Sequence, residues 1–125
     1  MADPRTTRRK LLAFALTLPG AYEDHPWGES VAKVNKKVFV FLGSGEDSTN
    51  LGMSVKLDLS HEQALAVPGA APTGYGLGRG GWVTIRFHQA TPPLPVLRDW
   101  VEESYRRVAP KGLIAELDGR ASPRR

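Results

Sequence analysis

The sequence predicts an α+β fold, and three features predict it. Apolar residues recur with a helical period near both ends, at Leu11, Phe14, Ala15 and Leu18 and again at Leu94, Leu97 and Val101. Between these ends lie runs that alternate apolar and polar residues with period two, the mark of strands half-buried in a sheet. A short segment opened by Ser60 and closed by Pro68-Gly69 interrupts the strand-like runs and reads as a helix. A chain of 125 residues is enough for one domain with one core.

Each element follows in chain order. The stripe beginning at Leu11 predicts a first helix that stops at Pro19-Gly20. Arg8, Arg9 and Lys10 ahead of LLAFALTL loosely echo a targeting signal, but no A-x-A site follows and the stripe favours a helix of the folded domain. Residues 30–34 and 37–42 flank Asn35-Lys36 and read as a β-hairpin. Val38, Val40 and Leu42 oppose Phe39 and Phe41, so the second strand is apolar on both faces and is expected at the centre of the sheet. Residues 51–58 set Leu51, Met53, Val55 and Leu57 against Gly52, Ser54, Lys56 and Asp58, a third strand with one wet face.

Ser60 with Gln63 matches a capping box for the short helix. Residues 68–81 hold six of the chain's 13 glycines and read as a long loop, a kind of segment that usually carries function or mobility. WVTIRF, 82–87, returns to alternation, with Val83, Ile85 and Phe87 opposite Trp82, Thr84 and Arg86. A long helix is expected from 94 to Pro110, LIAEL adds a short terminal helix, and GRASPRR reads as a tail. The domain is therefore expected over 1–118, with a flexible basic tail over 119–125.

Composition narrows the function classes. A hydrophobic content of 41% with 24% charged residues is that of a globular domain. No apolar run approaches the ~20 residues of a membrane span, so no membrane partner is expected. The absence of cysteine excludes disulfides, thiolate metal sites and cysteine nucleophiles. The net charge is +4, but residues 1–10 and 120–125 each carry +3 while 11–119 carry −2. Basic ends of this kind attract phosphate at long range and also keep a small protein soluble.

Motifs that promise chemistry fail on context. GYGLGRGGWVTI contains G-x-G-x-x-G at Gly76, Gly78 and Gly81. A dinucleotide cradle needs a strand before it and a helix after it, and here the strand follows. The same glycines make a supple loop that displays Tyr75 and Arg79. His61-Glu62 begins H-E-x-x-H, but position 65 is Leu, so no metal site is expected. His25 stands beside Asp24 without a G-x-S-x-G elbow, His88 is isolated, and Glu102-Glu103 reads as a solvated helix face. What remains is a set of cations near aromatics. Lys36 and Lys37 lie at the hairpin tip, Tyr75 and Arg79 on the glycine loop, and Trp82 and Arg86 on one face of a strand. Two cationic loops can straddle a nucleic-acid backbone, and an open sheet face with aromatics can stack bases. The competing expectation buries Phe39, Phe41 and Trp82 in the core.

LLAFALTLPGAYEDHPWGES, KVNKKVFVFLG, GGWVTI and SYRRVAP, taken in this order and spacing, resemble the MmcQ/YjbR family of small bacterial proteins. The shared pattern runs from Leu18-Pro19-Gly20 through Pro26-Trp27-Gly28 and Val38-Phe39 to Trp82 and Ser104-Tyr105, over about 11–117. The resemblance implies a two-layer α/β sandwich, α-β(3)-α-β(2)-α, with helices on one face of an antiparallel sheet and a fifth strand within GYGLG. It also implies DNA binding, by likeness to double-wing proteins, or a protein partner, by likeness to secretion chaperones. It supplies no catalytic residues and no cofactor. The sequence-level expectation is therefore a non-enzymatic cytoplasmic protein that touches DNA through Lys36, Lys37, Tyr75, Arg79, Trp82, Arg86 and the basic N-terminus, with a protein-interaction module as the alternative.

Overall fold

A computed structural model describes residues 3–25, 29–43, 51–74, 76–87 and 91–121. Helix α1 (Pro4–Leu16) begins well before the apolar stripe, because Pro4 suits the first turn and the Asp3 carboxylate accepts the Thr6 N–H at 3.3 Å. It buries Thr7, Leu11 and Ala15, so the run that echoes a targeting signal forms part of the core. Six strands follow among the described residues: β1 (Tyr22–Asp24), β2 (Val31–Val34), β3 (Lys37–Phe41), β4 (Gly52–Lys56), β5 (Ala70–Pro72) and β6 (Trp82–Arg86). They form one sheet in the order β1-β2-β3-β4-β6-β5, antiparallel throughout. Helix α2 (His61–Leu65) separates β4 from β5, and α3 (Leu94–Val108) and α4 (Lys111–Ala121) close the chain.

The α+β class and the helices-on-sheet layering hold, with two strand corrections. β1 is an additional edge strand. The strand expected within GYGLG lies instead at Ala70–Pro72, where Pro72 is tolerated because the outer edge needs no ladder donor. Gly76 and Gly81 adopt φ of 78° and 97°, which turns the chain about a 3-10 helix at Leu77–Gly80. The hairpin turn is as expected: Asn35 and Lys36 have φ of 52° and 69°, the left-handed pair of a type I′ turn.

Simple alternation along β3 is broken. Its register with β2 shifts between Ala32 and Lys33, so Phe39 is the extra residue of a bulge. Phe39 and Val40 therefore both join the core, and Phe41 faces the other side. The core lies between the sheet and helices α1 and α3, built from Leu11, Phe39, Val55, Ile85, Leu97 and Val101 among others. Across the helix-free face, Phe41 meets Trp82 edge-on at 5.3 Å, and the Thr84 hydroxyl bonds those of Ser54 (2.8 Å) and Thr73 (2.9 Å).

The Ser104-Tyr105 pair is a structural staple. Val40 pairs with Val55, so Phe39 and Lys56 stand at the next rung, where the buried Ser104 hydroxyl is inserted. It donates to the Phe39 carbonyl (2.5 Å) and accepts the Lys56 N–H (2.8 Å). The Tyr105 hydroxyl donates to the Pro19 carbonyl at 2.5 Å, tying α3 to the end of the first helical segment. The capping box does not form: Ser60 makes no side-chain cap, because Glu103 of α3 already holds this turn. The terminal helix is longer than LIAEL and runs through Gly119 and Arg120 to Ala121. Arg106 reaches Asp118 at 2.8 Å, and Arg120 donates to the Thr17 carbonyl, fixing residues that composition places at the start of a tail.

Candidate nucleic-acid interface

Antiparallel pairing brings the start of β3 to the end of β4, and the register of β4 with β6 places Lys56 opposite Trp82. One end of the sheet thus carries Lys36 in the hairpin turn, Lys37 at the start of β3, Lys56 at the end of β4 and Arg79 in the 3-10 turn before β6. The β3 and β6 strands are two spacings apart, about 10 Å. Lys36, Lys37 and Arg79 are exposed and Lys56 is half-buried. The side chains of all four make no ion pair or hydrogen bond with another described residue.

Many other basic side chains are engaged in the fold. Arg8 donates to the Leu42 and Gly43 carbonyls at 2.8 and 3.1 Å, Lys33 pairs with Asp24 at 3.0 Å, and Arg106 bridges Glu102 and Asp118. Arg98 lies over the Phe14 ring. The expectation of a freely available basic N-terminus is corrected for Arg8, whose guanidinium closes the end of β3. Arg5 and Lys10 on α1 and Lys111 at the start of α4 are unpaired among the described residues, but they lie on helices.

The turns supporting this end are held firmly. Glu103 accepts the Asp58 N–H at 2.7 Å and the Ser60 N–H at 3.1 Å. Burial alone would raise its carboxyl pKa; these backbone donors outweigh that and hold it below the ordinary 4.5. The expectation of a merely solvated Glu102-Glu103 face is corrected accordingly. Arg107 pairs with Asp58 at 3.2 Å. Across the gap, the Gly81 carbonyl accepts the Leu57 N–H at 2.9 Å, an approach so close that a Cβ on Gly81 would lie 2.6 Å from the Leu57 oxygen. A cavity of about 630 Å3 opens between residues 56–62, the 78–81 turn and Arg107.

Two sequence-level candidates fall away from this surface. Trp82 is only 9% exposed and packs on Phe41, so it offers no face for a base. Arg86 lies at the other end of β6, opposite Gly52 and about 13 Å from Trp82 along the strand. Tyr75 lies outside the described residues, as do His88 and Pro26-Trp27-Gly28. Lys56, by contrast, reads in the sequence only as a wet strand position. Its place among the cations follows from strand register, which no local signal carries.

The hydrolytic grouping considered for His25 is not assembled around Asp24. The imidazole Nε2 lies 2.9 Å from Glu23, whose same oxygen accepts the Ser30 hydroxyl at 3.2 Å. The carboxylate stands between serine and histidine, so the imidazole is not placed to take the serine proton. Asp24 is held below its ordinary pKa by the hydrogen bond from Lys33 and the His25 backbone N–H. No cluster of metal-binding side chains occurs among the described residues, and no described helix is long and apolar enough to cross a membrane.

A family model described as YjbR matches residues 16–107. Among solved structures, the crystal structure of the Deinococcus radiodurans protein DR2400, with a DUF419 domain, is similar over 90% of this chain and 85% of its own, at 27% identity and a TM-score of 0.69. No curated protein matches. All four unpaired cations of the sheet end fall inside the matched span.

Proposed function

The chain belongs to the YjbR family, and from that premise we propose that it is a non-enzymatic nucleic-acid-binding protein of the bacterial cytoplasm that sets the cationic end of its sheet against DNA. The observation that carries this reading is the gathering of Lys36, Lys37, Lys56 and Arg79, unpaired among the described residues, at one end of a rigid sheet. Charge left uncompensated at one place costs self-repulsion, and a polyanion relieves it. With Trp82 buried and Arg86 at the far end, the contacts are to phosphate and carry little sequence information.

Fluorescence anisotropy of a labelled duplex over a salt series tests this. Log affinity falls linearly with log salt, and replacing Lys36, Lys37 and Arg79 with alanine makes the slope shallower by about one for each phosphate no longer neutralised. No retention at low ionic strength, or an unchanged slope in the triple variant, contradicts the reading.

A second reading, a protein-interaction module, draws on α1. Its exposed Ala13 and Leu16, with the half-buried Leu12, line an open cavity of about 520 Å3 beside Arg9 and Lys10. Loss of a captured partner in Leu16→Asp, with DNA affinity unchanged, favours that reading. The helix-free sheet face gives it less support, since Val31 and Trp82 there are buried.

A further inference from the structure

The cavity at the cationic end is bounded by three segments and open to solvent. Lys56 stands on one wall and Arg79 on the other, both without an ion partner among the described residues. Gly78, Gly80 and Gly81 leave the turn's wall free of side chains other than Arg79. The opposite wall is fixed by the Glu103 and Arg107 contacts; Arg107 neutralises Asp58, and Glu62 is the other carboxylate of the lining. Two features remain unsatisfied. Leu59, at the lip, is 93% exposed, and His61 in the wall has a buried Nε2 with no hydrogen-bond partner.

We propose that this cavity receives the terminal phosphate monoester of a nucleic-acid strand, with Lys56 and Arg79 gripping the phosphate and Leu59 covering the terminal base. The inference rests on the nucleic-acid reading above and deepens it from backbone attraction to recognition of strand ends. A volume of about 630 Å3 falls in the range of about 300–1,000 Å3 typical of sites that enclose a whole small ligand, so there is room for a nucleotide and not only an oxyanion. A monoester carries about −1.5 to −2 charges near neutrality, more than a backbone diester, and converging cations favour it accordingly. Within a strand every phosphate is a diester, so such a group occurs only at a chain end.

The test uses the intact protein and one oligodeoxynucleotide labelled at an internal position, prepared with 5′-phosphate, 3′-phosphate or hydroxyl at both ends. One phosphorylated form binds about tenfold more tightly than the hydroxyl form, and that preference disappears in Lys56→Gln and in Arg79→Gln. Should a variant fold poorly, the wild type decides: amide resonances of Leu59 and Gly80 shift further with the phosphorylated strand than with the hydroxyl strand, and equal shifts overturn the inference. Equal, salt-dependent binding of all three forms overturns this inference and leaves the nucleic-acid reading standing. No binding of any form at low salt overturns both. A phosphate preference that survives in Lys56→Gln overturns the assignment to this cavity.

Discussion

Ser104 and Tyr105 show how single side chains replace regular structure in this fold. The β3 and β4 strands pair at Val40–Val55 and Phe41–Ser54, and at the next rung the Ser104 hydroxyl stands in for the missing backbone bond. Ser104→Ala leaves the Lys56 N–H and the Phe39 carbonyl without this partner in a buried setting, and is expected to cost about 1–3 kcal/mol in denaturant unfolding. Tyr105→Phe removes the donor to the Pro19 carbonyl and is expected to cost a similar amount, about 1–3 kcal/mol. Burial, and then the charge of Glu116, raise the Tyr105 hydroxyl pKa above its ordinary 10.0. The phenol thus stays neutral in the fold while the unfolded chain ionises. Its contribution is complete below pH 10.0 and is lost as pH rises through the higher folded value. Alkaline unfolding followed by circular dichroism is expected to lose part of its pH dependence in Tyr105→Phe.

Elements formed by local patterning are the ones the sequence makes legible. The stripe of α1 and α3, the Asn35-Lys36 turn and the alternation of β4 and β6 each follow from side chains within a few residues of one another. β1 and β5 are three-residue edge strands held by backbone pairing, and Tyr22-Glu23-Asp24 and Ala70-Ala71-Pro72 carry almost no strand signal. The bulge at Phe39 depends on β2, and the cap of the 58–60 turn comes from Glu103, more than 40 residues away. The candidate site is legible to the same extent. Lys36, Lys37 and Arg79 stand out because they occupy turns, whereas the inclusion of Lys56 and the loss of Trp82 and Arg86 follow from register and burial.

Glu103 has a lowered pKa, so its stabilising effect is present above about 4.5 and fades as pH falls through the lower folded value. Glu103→Gln is therefore expected to flatten the acid limb of a stability profile below about pH 4.5, whereas an unchanged limb argues against the clamp. Gly81→Ala places a Cβ against the Leu57 carbonyl at φ 97° and is expected to cost about 1–3 kcal/mol, read as a lower Tm.

At the scale of the molecule, the fold sorts its charge. On the helices Arg8, Arg106, Arg107 and Arg120 are spent on carbonyls and carboxylates while Arg5, Lys10 and Lys111 are not, and the sheet end gathers Lys36, Lys37, Lys56 and Arg79, free of such partners among the described residues. Net charge alone does not reveal this, because residues 11–119 are net −2 and the excess of positive charge lies at the chain ends. Placement by register, and not the total, makes the surface. The proposed DNA contact lies at this sheet end. Amide chemical-shift mapping with a short duplex at low ionic strength tests it most directly. Perturbations are expected to concentrate at residues 36–37, 56–59 and 78–81 and to fade as salt is raised. Perturbations confined to α1 or α4, or none at all, would contradict it.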